Sequence, residues 1–195
     1  KQLGSTYMQF IPIVERHAQT QSVTDFSVPA EGYGKFLVDV FHEWYEHDVG
    51  KIYVSQFDNL LGQWLGYPSS TCVHQPTCGQ SLVTEANGDV YTCDHFVYPE
   101  YKMGNLTQQP LTEIVLSSKQ QQFGLEKSQK LAALCRHCEF RKLCYGGCPK
   151  HRFVSLENEP NPHNYLCASY RYFFEQTALY MQAMARQIRL HRSSA

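Results

Sequence analysis

The sequence predicts an α+β protein in three stretches, 1–68, 69–160 and 161–195. Three observations predict it. Residues 1–68 alternate strand-like and helix-like patterns. The middle stretch holds a hairpin signal, Asn87-Gly88, and a cysteine-rich loop. A long apolar stripe at helical spacing follows Pro160 and Pro162. Of the 195 residues, 43% are hydrophobic and 18% charged, which is enough apolar material for a core. A formal net charge of -1 excludes a global basic field, so neither nucleic acid nor an acidic membrane surface is expected as partner. No apolar run approaches the roughly 18 residues of a membrane-spanning helix.

Taken in order, residues 5–16 read as a strand, with Phe10-Ile-Pro-Ile-Val14 as its buried part. Lys1 is followed by no basic, apolar and small-residue leader, so a cytoplasmic location is expected. Leu3, Tyr7 and Phe10–Val14 read as a strand entered from an upstream element, and the chain is expected to begin mid-protein. Glu31–Asp48 is expected as a helix, because Phe36, Leu37, Val40, Phe41, Trp44 and Tyr45 share one stripe. A short strand, Ile52-Tyr53-Val54, lies within 51–57. A second helix over 59–65 stops near Gly66 and Pro68. Strand–helix–strand–helix is the unit of a parallel α/β arrangement.

Beyond Pro68 the pattern changes. Residues 81–93 predict a hairpin with a type I′ turn at Asn87-Gly88, which carries Cys93 back towards Cys78. Pro110 is expected as the first residue of a helix that turns Leu111, Ile114 and Val115 inward and ends by Gly124. The last helix is expected from His163 or Asn164, packing Leu166, Tyr170, Phe173, Phe174, Met181, Met184 and Ile188, with Cys167 in its first turn. A helix N-terminus there favours negative charge. Asn105-Leu-Thr107 matches a glycosylation sequon, which is discounted without a secretory signal.

The eight cysteines carry most of the chemistry. Cys72-x5-Cys78-x14-Cys93 offers three thiolates, Cys135-x2-Cys138-x5-Cys144-x3-Cys148 offers four, and Cys167 stands alone. Four disulfides are disfavoured, because the tight Cys135-Arg-His-Cys138 knuckle suits two thiolates on one metal. Three, four and one make two four-cysteine sites. The simplest partition keeps Cys135, Cys138, Cys144 and Cys148 together. Cys148-Pro149 argues against it, since it resembles the close of a bacterial ferredoxin run, whose last cysteine serves the other cluster. Thiolate ligands suit zinc and iron–sulfur equally. The Tyr145-Gly146-Gly147 loop would let backbone N–H groups approach cluster sulfides. Arg136, Arg141, Lys142, Lys150 and Arg152 would offset thiolate charge, although such a set is more often a solvated surface. His74, His95, His137 and His151 lie near ligands in sequence and are not assigned as ligands, the cysteine count being complete.

At these spacings the chain resembles the SPASM domain of radical S-adenosylmethionine enzymes, and most of all the anaerobic sulfatase-maturating enzymes. The resemblance is close over residues 72 to 167. Tyr7-Met-Gln-Phe-Ile-Pro-Ile-Val-Glu-Arg16 also resembles the last-strand region of that family's partial (β/α)6 barrel. The resemblance implies two auxiliary [4Fe–4S] clusters, the first on Cys72, Cys78, Cys93 and Cys148 and the second on Cys135, Cys138, Cys144 and Cys167. It implies that Asp94, directly after the third cysteine, takes a proton from the substrate side chain. The motif Cys-x3-Cys-x2-Cys is nowhere in this chain. A third [4Fe–4S] cluster and S-adenosyl-L-methionine are therefore expected upstream, and this chain is expected to be the C-terminal part of such an enzyme.

The implied reaction converts a Cys or Ser of a sulfatase polypeptide into Cα-formylglycine, with flavodoxin or ferredoxin as electron donor. A 5′-deoxyadenosyl radical removes a Cβ hydrogen, and the thiol or hydroxyl then loses a proton and an electron. A Cys target gives a thioaldehyde that water hydrolyses; a Ser target gives the aldehyde directly. As the base, Asp94 would have to be raised by burial from about 3.9. Read without the family, it is a carboxylate capping a turn. Two other functions compete: a SPASM enzyme modifying ribosomal peptide precursors, and a non-catalytic zinc module that binds a partner.

Overall fold

The computed structural model describes residues 4–193, so Lys1 and Leu3 lie outside the described residues. The chain divides into two compact units. Within the described residues, one comprises 4–71, 142–144 and 165–193, and the other 72–141 and 145–164. Helix and sheet are mixed, as the sequence predicts.

The first unit holds β1 (Tyr7–Met8), α1 (Gly32–His47), β2 (Tyr53–Val54), α2 (Ser55–Trp64) and α7 (Cys167–Ser193). The expected strand–helix–strand–helix order is present. β1 and β2 are parallel, with Tyr7 opposite Tyr53 and Met8 opposite Val54. β1 is much shorter than the expected 5–16, and β2 lacks only Ile52 of its expected three residues. Phe10–Val14 forms no strand. It is extended with alternate residues turned inward, Val14 being 4% exposed while Ile11 and Ile13 are 70% and 58% exposed. The cause is local. Pro12 has no N–H to give, and the Gln56 side-chain amide takes the place of a strand partner for Phe10. Gln56 Nε2 donates to the Phe10 carbonyl at 2.5 Å, and Phe10 N–H donates to Gln56 Oε1 at 3.3 Å. α2 starts four residues earlier than expected, at Ser55, because Phe57, Asn59 and Leu60 form a buried helical face there.

α1 lies where its stripe places it. Leu37, Phe41 and Trp44 are buried, but the face also includes Tyr33, Gly34 and Val38, and it leaves Phe36 exposed. Phe41 and Phe57 are fully buried and centre an aromatic core, with ring centroids 5.4 Å apart edge to face and Phe173 of α7 packed against both. α7 begins at Cys167 rather than at His163 or Asn164, because those two residues form a strand. Its expected stripe is buried from Leu166 to Met184, but Ser169 and Thr177 lie fully buried within it.

Ser169 is the structural reason for the α1–α7 approach. Glu31, the N-cap of α1, supplies no side-chain bond, so the first N–H groups of that helix need other acceptors. Gly34 N–H donates to Ser169 Oγ at 2.7 Å, and Ser169 Oγ–H donates to the Ala30 carbonyl at 2.6 Å. A Cβ on residue 34 would meet the Ser169 carbonyl oxygen at 2.6 Å.

The second unit holds the antiparallel sheet β3 (Val83–Thr84), β4 (Asp89–Tyr91) and β5 (Lys102–Asn105), then helices α3 (Leu111–Val115), α4 (Ser118–Gln129) and α5 (Ala133–Arg136). α6 (Arg141–Cys144) follows, of which only Arg141 belongs to this unit, and β6 (Arg152–Val154) pairs antiparallel with β7 (His163–Asn164). The hairpin falls where expected, but its turn is not type I′. Only Gly88 is left-handed, at φ +84, whereas a type I′ turn also needs positive φ at Asn87. Gly88 N–H closes back on the Glu85 carbonyl at 2.9 Å, and Asn87 Oδ1 accepts the Asp89 N–H at 3.0 Å. The third strand, β5, was not expected. Its Asn105 belongs to the sequon, yet its amide serves the hairpin, donating to Asp89 Oδ1 at 2.8 Å and to the Asn87 carbonyl at 3.1 Å.

The expected helix from 110 to 124 is two helices. Pro110 is the N-cap of α3 rather than its first residue, and only Ile114 of the three apolar positions is buried. The chain breaks at Leu116, and Ser117 caps α4 by accepting the Gln120 N–H at 3.3 Å. α4 then runs through Gly124 to Gln129.

The contact between α1 and α7 is directly testable. Gly34→Ala overpacks it and is expected to cost about 1–3 kcal/mol. Ser169→Ala strands the Gly34 N–H and is expected to cost a similar amount, about 1–3 kcal/mol. Denaturant melts measure both, and midpoints equal to that of the parent protein would show that the contact contributes nothing.

Candidate metal centre

α4 has an unusual buried face. Its buried residues are Gln120, Gly124 and Lys127, at steps of four and three, so they form one stripe with no apolar side chain in it. Each is bonded to a cysteine-bearing loop. Gln120 Nε2 donates to the carbonyl of Gly79, next to Cys78, at 2.7 Å, and to that of Thr92, next to Cys93, at 3.4 Å. The Gly124 carbonyl accepts the Cys78 N–H at 3.1 Å, and a Cβ at residue 124 would lie 2.7 Å from the Cys78 carbonyl oxygen. Lys127 Nζ donates to the carbonyls of Cys72 at 2.5 Å and Val73 at 3.0 Å.

The loop carrying Cys148 is tied to the same helix through Arg152. Its guanidinium donates to the Lys127 carbonyl at 2.6 Å, to Tyr145 at 2.6 Å, to Gly146 at 3.1 Å and to Gly147 at 3.3 Å. Tyr145, Gly146 and Gly147 are successive left-handed residues, at φ 46, 71 and 62. A Cβ at residue 146 would collide with Leu131 and with the Arg152 guanidinium, so the loop needs glycine there. Asn164 Nδ2, on β7, donates to the carbonyls of Gly146 at 3.2 Å and Cys148 at 3.1 Å.

None of the eight cysteines is joined in a disulfide. Cys72, Cys78, Cys93 and Cys148 all lie in the second unit, where Cys72, Cys78 and Cys148 act on one another electrostatically and Cys148 also acts on Cys93. Burial pushes the Cys93 thiol up to about 12, opposed by the His95 N–H and reinforced by Asp94. Burial pushes Cys148 up to about 11, with the Cys78 and Cys72 charges adding to the rise. Cys78 is also raised by burial, and Lys127 pulls it back. Such thiols become thiolates when a metal displaces their protons. Four soft donors on loops anchored to one helix, facing a buried ammonium, fit a thiolate-bound metal or cluster.

Cys135 and Cys138 also act on each other within the second unit. Cys135 opens from α5, whose first N–H is capped by a distant side chain, Glu159 Oε2, which accepts from Ala133 N–H at 2.8 Å. Cys144 ends α6 and Cys167 begins α7, in the first unit.

Asp94 is exposed, at the start of a short 3₁₀ turn. The cap of that turn is the Cys93 sulfur, which accepts the His95 N–H at 3.4 Å. The Cys93 thiol donates to Asp94 Oδ1 at 3.1 Å, and this bond holds the Asp94 carboxyl below the usual range. Burial raises it less than this bond lowers it, so the net shift runs contrary to what a base needs. A thiolate at Cys93 would remove that donor and set a negative charge beside the carboxylate, and both changes push its pKa upward.

Sequence reasoning missed several residues of this centre. His95 Nδ1 lies 3.6 Å from Cys148 Sγ, so one residue touches two of the cysteines. Cys93, Asp94 and His95 also offer sulfur, oxygen and nitrogen atoms within 4.8 Å of one another. Gly124 carried a usable signal, since a glycine inside a helical pattern often marks close backbone approach. Lys127 and Gln120 carried none. Arg152, weighed as a solvated charge, is committed to four backbone carbonyls.

Known proteins resemble this chain along most of its length. Residues 72–139 match the sequence profile of SPASM, described as an iron–sulfur cluster-binding domain. A serine-type anaerobic sulfatase-maturating enzyme of Bacteroides thetaiotaomicron is 41% identical over 96% of this chain and 49% of its own length. The chain resembles the anaerobic sulfatase-maturating enzymes. A cysteine-type enzyme of Clostridium perfringens is 32% identical over 90% of this chain and 47% of its own length. The solved structure of native anSMEcpe with bound AdoMet and Cp18Cys peptide superposes with a TM-score of 0.80 at 31% identity, covering 94% of this chain and 51% of that one. The chain spans about half the length of the relatives it matches. No helix among the described residues is long and apolar enough to cross a membrane.

The link between α4 and the cysteines yields a prediction. Gly124→Ala forces Cys78 away from the helix and is expected to lower metal bound per chain in anaerobically purified protein, at a stability cost of about 1–3 kcal/mol. Metal analysis and melting of the same sample check it. Full metal content would show that Cys78 does not depend on this approach.

Proposed function

We propose that this chain is the cluster-bearing part of an anaerobic sulfatase-maturating enzyme, which oxidises a Cys or Ser of a sulfatase to Cα-formylglycine. What carries the reading is the similarity, over nine-tenths or more of the chain, to both serine-type and cysteine-type enzymes, within which the SPASM match includes five of the eight cysteines. Cys72, Cys78, Cys93 and Cys148 would hold one [4Fe–4S] cluster, and Cys135, Cys138, Cys144 and Cys167 a second. Residues 1–68 would close a partial (β/α)6 barrel, 69–160 form the auxiliary domain and 161–195 the helix carrying the last ligand. A bound cluster would supply a one-electron acceptor.

This chain's own contribution to the reaction centres on Asp94. Its carboxylate is exposed, so an approaching polypeptide can reach it, and it would take the proton from the substrate thiol or hydroxyl. S-adenosyl-L-methionine and a third cluster would bind elsewhere in the enzyme, because the Cys-x3-Cys-x2-Cys motif is not in this sequence. A flavodoxin or ferredoxin would exchange electrons with it in the cytoplasm.

A single-ion zinc site is favoured by one observation, the mixed donor set of Cys93, Asp94 and His95. Iron and sulfide analysis of anaerobically purified protein decides between them. About eight iron atoms per chain in this segment are expected for two four-iron clusters, and zinc without sulfide would overturn the cluster reading.

Asp94→Asn in the complete enzyme keeps shape and hydrogen bonding but removes proton acceptance. Formylglycine formation is expected to fall by about 10²–10⁴, with iron content and 5′-deoxyadenosine formation retained. Full formylglycine yield at normal iron would remove Asp94 from the chemistry.

A further inference from the structure

We infer that Lys127 is a positioning residue for the cysteine set of Cys72, Cys78, Cys93 and Cys148: its ammonium fastens the Cys72 loop to α4 and supplies the fixed positive charge that sets the reduction potential of a cluster bound there. The inference rests on the cluster-binding reading of those four cysteines and goes beyond it by naming a residue that ligates nothing.

Lysine is almost never fully buried unless it is paired, yet Lys127 is 2% exposed in the second unit. Its ammonium has three donors, and its two bonds go to neutral carbonyls, those of Cys72 and Val73. Among the described residues no carboxylate forms an ion pair with it, whereas Asp89, Glu126, Glu159 and Glu175 pair with Lys102, Lys130, Arg136 and Arg171. The cysteines near enough to act on Lys127 electrostatically are Cys78, Cys148 and Cys72, three of the four proposed ligands, while Arg152 acts on it as a like charge. A buried ammonium without a carboxylate needs a counter-charge, and thiolates formed on cluster binding would supply it.

The geometry adds a positioning role. Lys127 stands seven residues after Gln120 on the buried face of α4, so the helix grips the Cys72 loop at one end and the loops of Cys78 and Cys93 at the other. The Lys127 carbonyl also receives Arg152, which holds the turn before Cys148. One residue is thus connected to two separate ligand loops, by its side chain to one and by its main chain to the other.

The test uses the complete enzyme and the variants Lys127→Gln, Lys127→Met and Lys127→Arg, each assayed for iron content and by potentiometric titration with electron paramagnetic resonance. The cluster on the Cys135 set serves as an internal reference. In Lys127→Gln the first cluster should become harder to reduce by about tenfold in its equilibrium, about 59 mV for a one-electron couple, with the reference cluster unmoved. Lys127→Arg should keep the potential near that of the parent. If the glutamine variant does not fold, Lys127→Met, which keeps the aliphatic stem without the charge, carries the same expectation. An unshifted first cluster in a folded, charge-free variant overturns the inference. So does failure of both neutral variants to fold while Lys127→Arg behaves as the parent, because the cation would then serve the polypeptide alone. Parent protein without iron and sulfide would instead remove the cluster reading, and this inference with it.

Discussion

A helix face of glutamine, glycine and lysine has no hydrophobic reason to be buried, and burying a lysine ammonium is costly unless something compensates for it. α4 buries such a face because its partners are backbone groups of the cysteine-bearing loops rather than apolar side chains. Those loops have few regular hydrogen bonds of their own. Cys72 sits in a single 3₁₀ turn, and Cys78 and Cys148 lie outside the named helices and strands. Without α4 their carbonyls and N–H groups would have to find water or remain unmet. The helix and the loops therefore depend on each other, and the geometry of the thiols follows from that exchange.

The first unit is built on the opposite principle. Phe41, Phe57 and Phe173 form an apolar centre in which α1, α2 and α7 meet. Ser169 adds a polar contact there, completing the N-terminus of α1 at a position left open by the absence of a side-chain cap. Glycine at residue 34 allows that approach, as glycine at residue 124 does in the second unit. In both cases the missing Cβ permits a backbone-to-backbone contact that fixes an element in place.

This contrast explains what was legible in the sequence. α1 and α7 were legible because their apolar residues recur at helical steps, which is the property that burial in the first unit rewards. The hairpin was legible from Asn87-Gly88, although side-chain bonds from Asn87 and Asn105 selected a different turn. The cysteine spacings were legible, and residues 72–139, which hold five of the eight, match an iron–sulfur cluster-binding domain. α4 was not, because periodic hydrophobicity cannot register a helix whose buried residues are Gln120, Gly124 and Lys127, and Gly124 was read as its end. Phe10–Val14 misled in the other direction. Its apolar character suggested a ladder strand, but Pro12 and the Gln56 amide determine its hydrogen bonding. The residues around the thiols that sequence reasoning missed are those whose role lies in contacts with distant backbone, and a linear pattern carries no trace of such contacts.

The same polar scaffold bears on how the thiols meet a metal. With Cys93 pushed up to about 12 and Cys148 up to about 11, these thiols hold their protons at neutral pH in the metal-free chain. Binding must therefore displace protons, so affinity rises with pH. A thiolate at Cys78 would face both the Lys127 ammonium and the Arg152 guanidinium, and one at Cys148 the Lys127 ammonium, which lessens the cost of concentrating negative charge in a buried site. Because both cations are already fixed by backbone carbonyls, they need little reorganisation when that charge appears. Preorganised charge of this kind is more effective than charge recruited from mobile surface side chains. The other cations near the ligands in sequence illustrate the difference. Lys150 is spent on Tyr98, and Arg136 on the Leu131 carbonyl. The electrostatics of the centre thus rest on two side chains held by the backbone, one of which, Lys127, lies far in sequence from every cysteine it faces except through the helix that carries it.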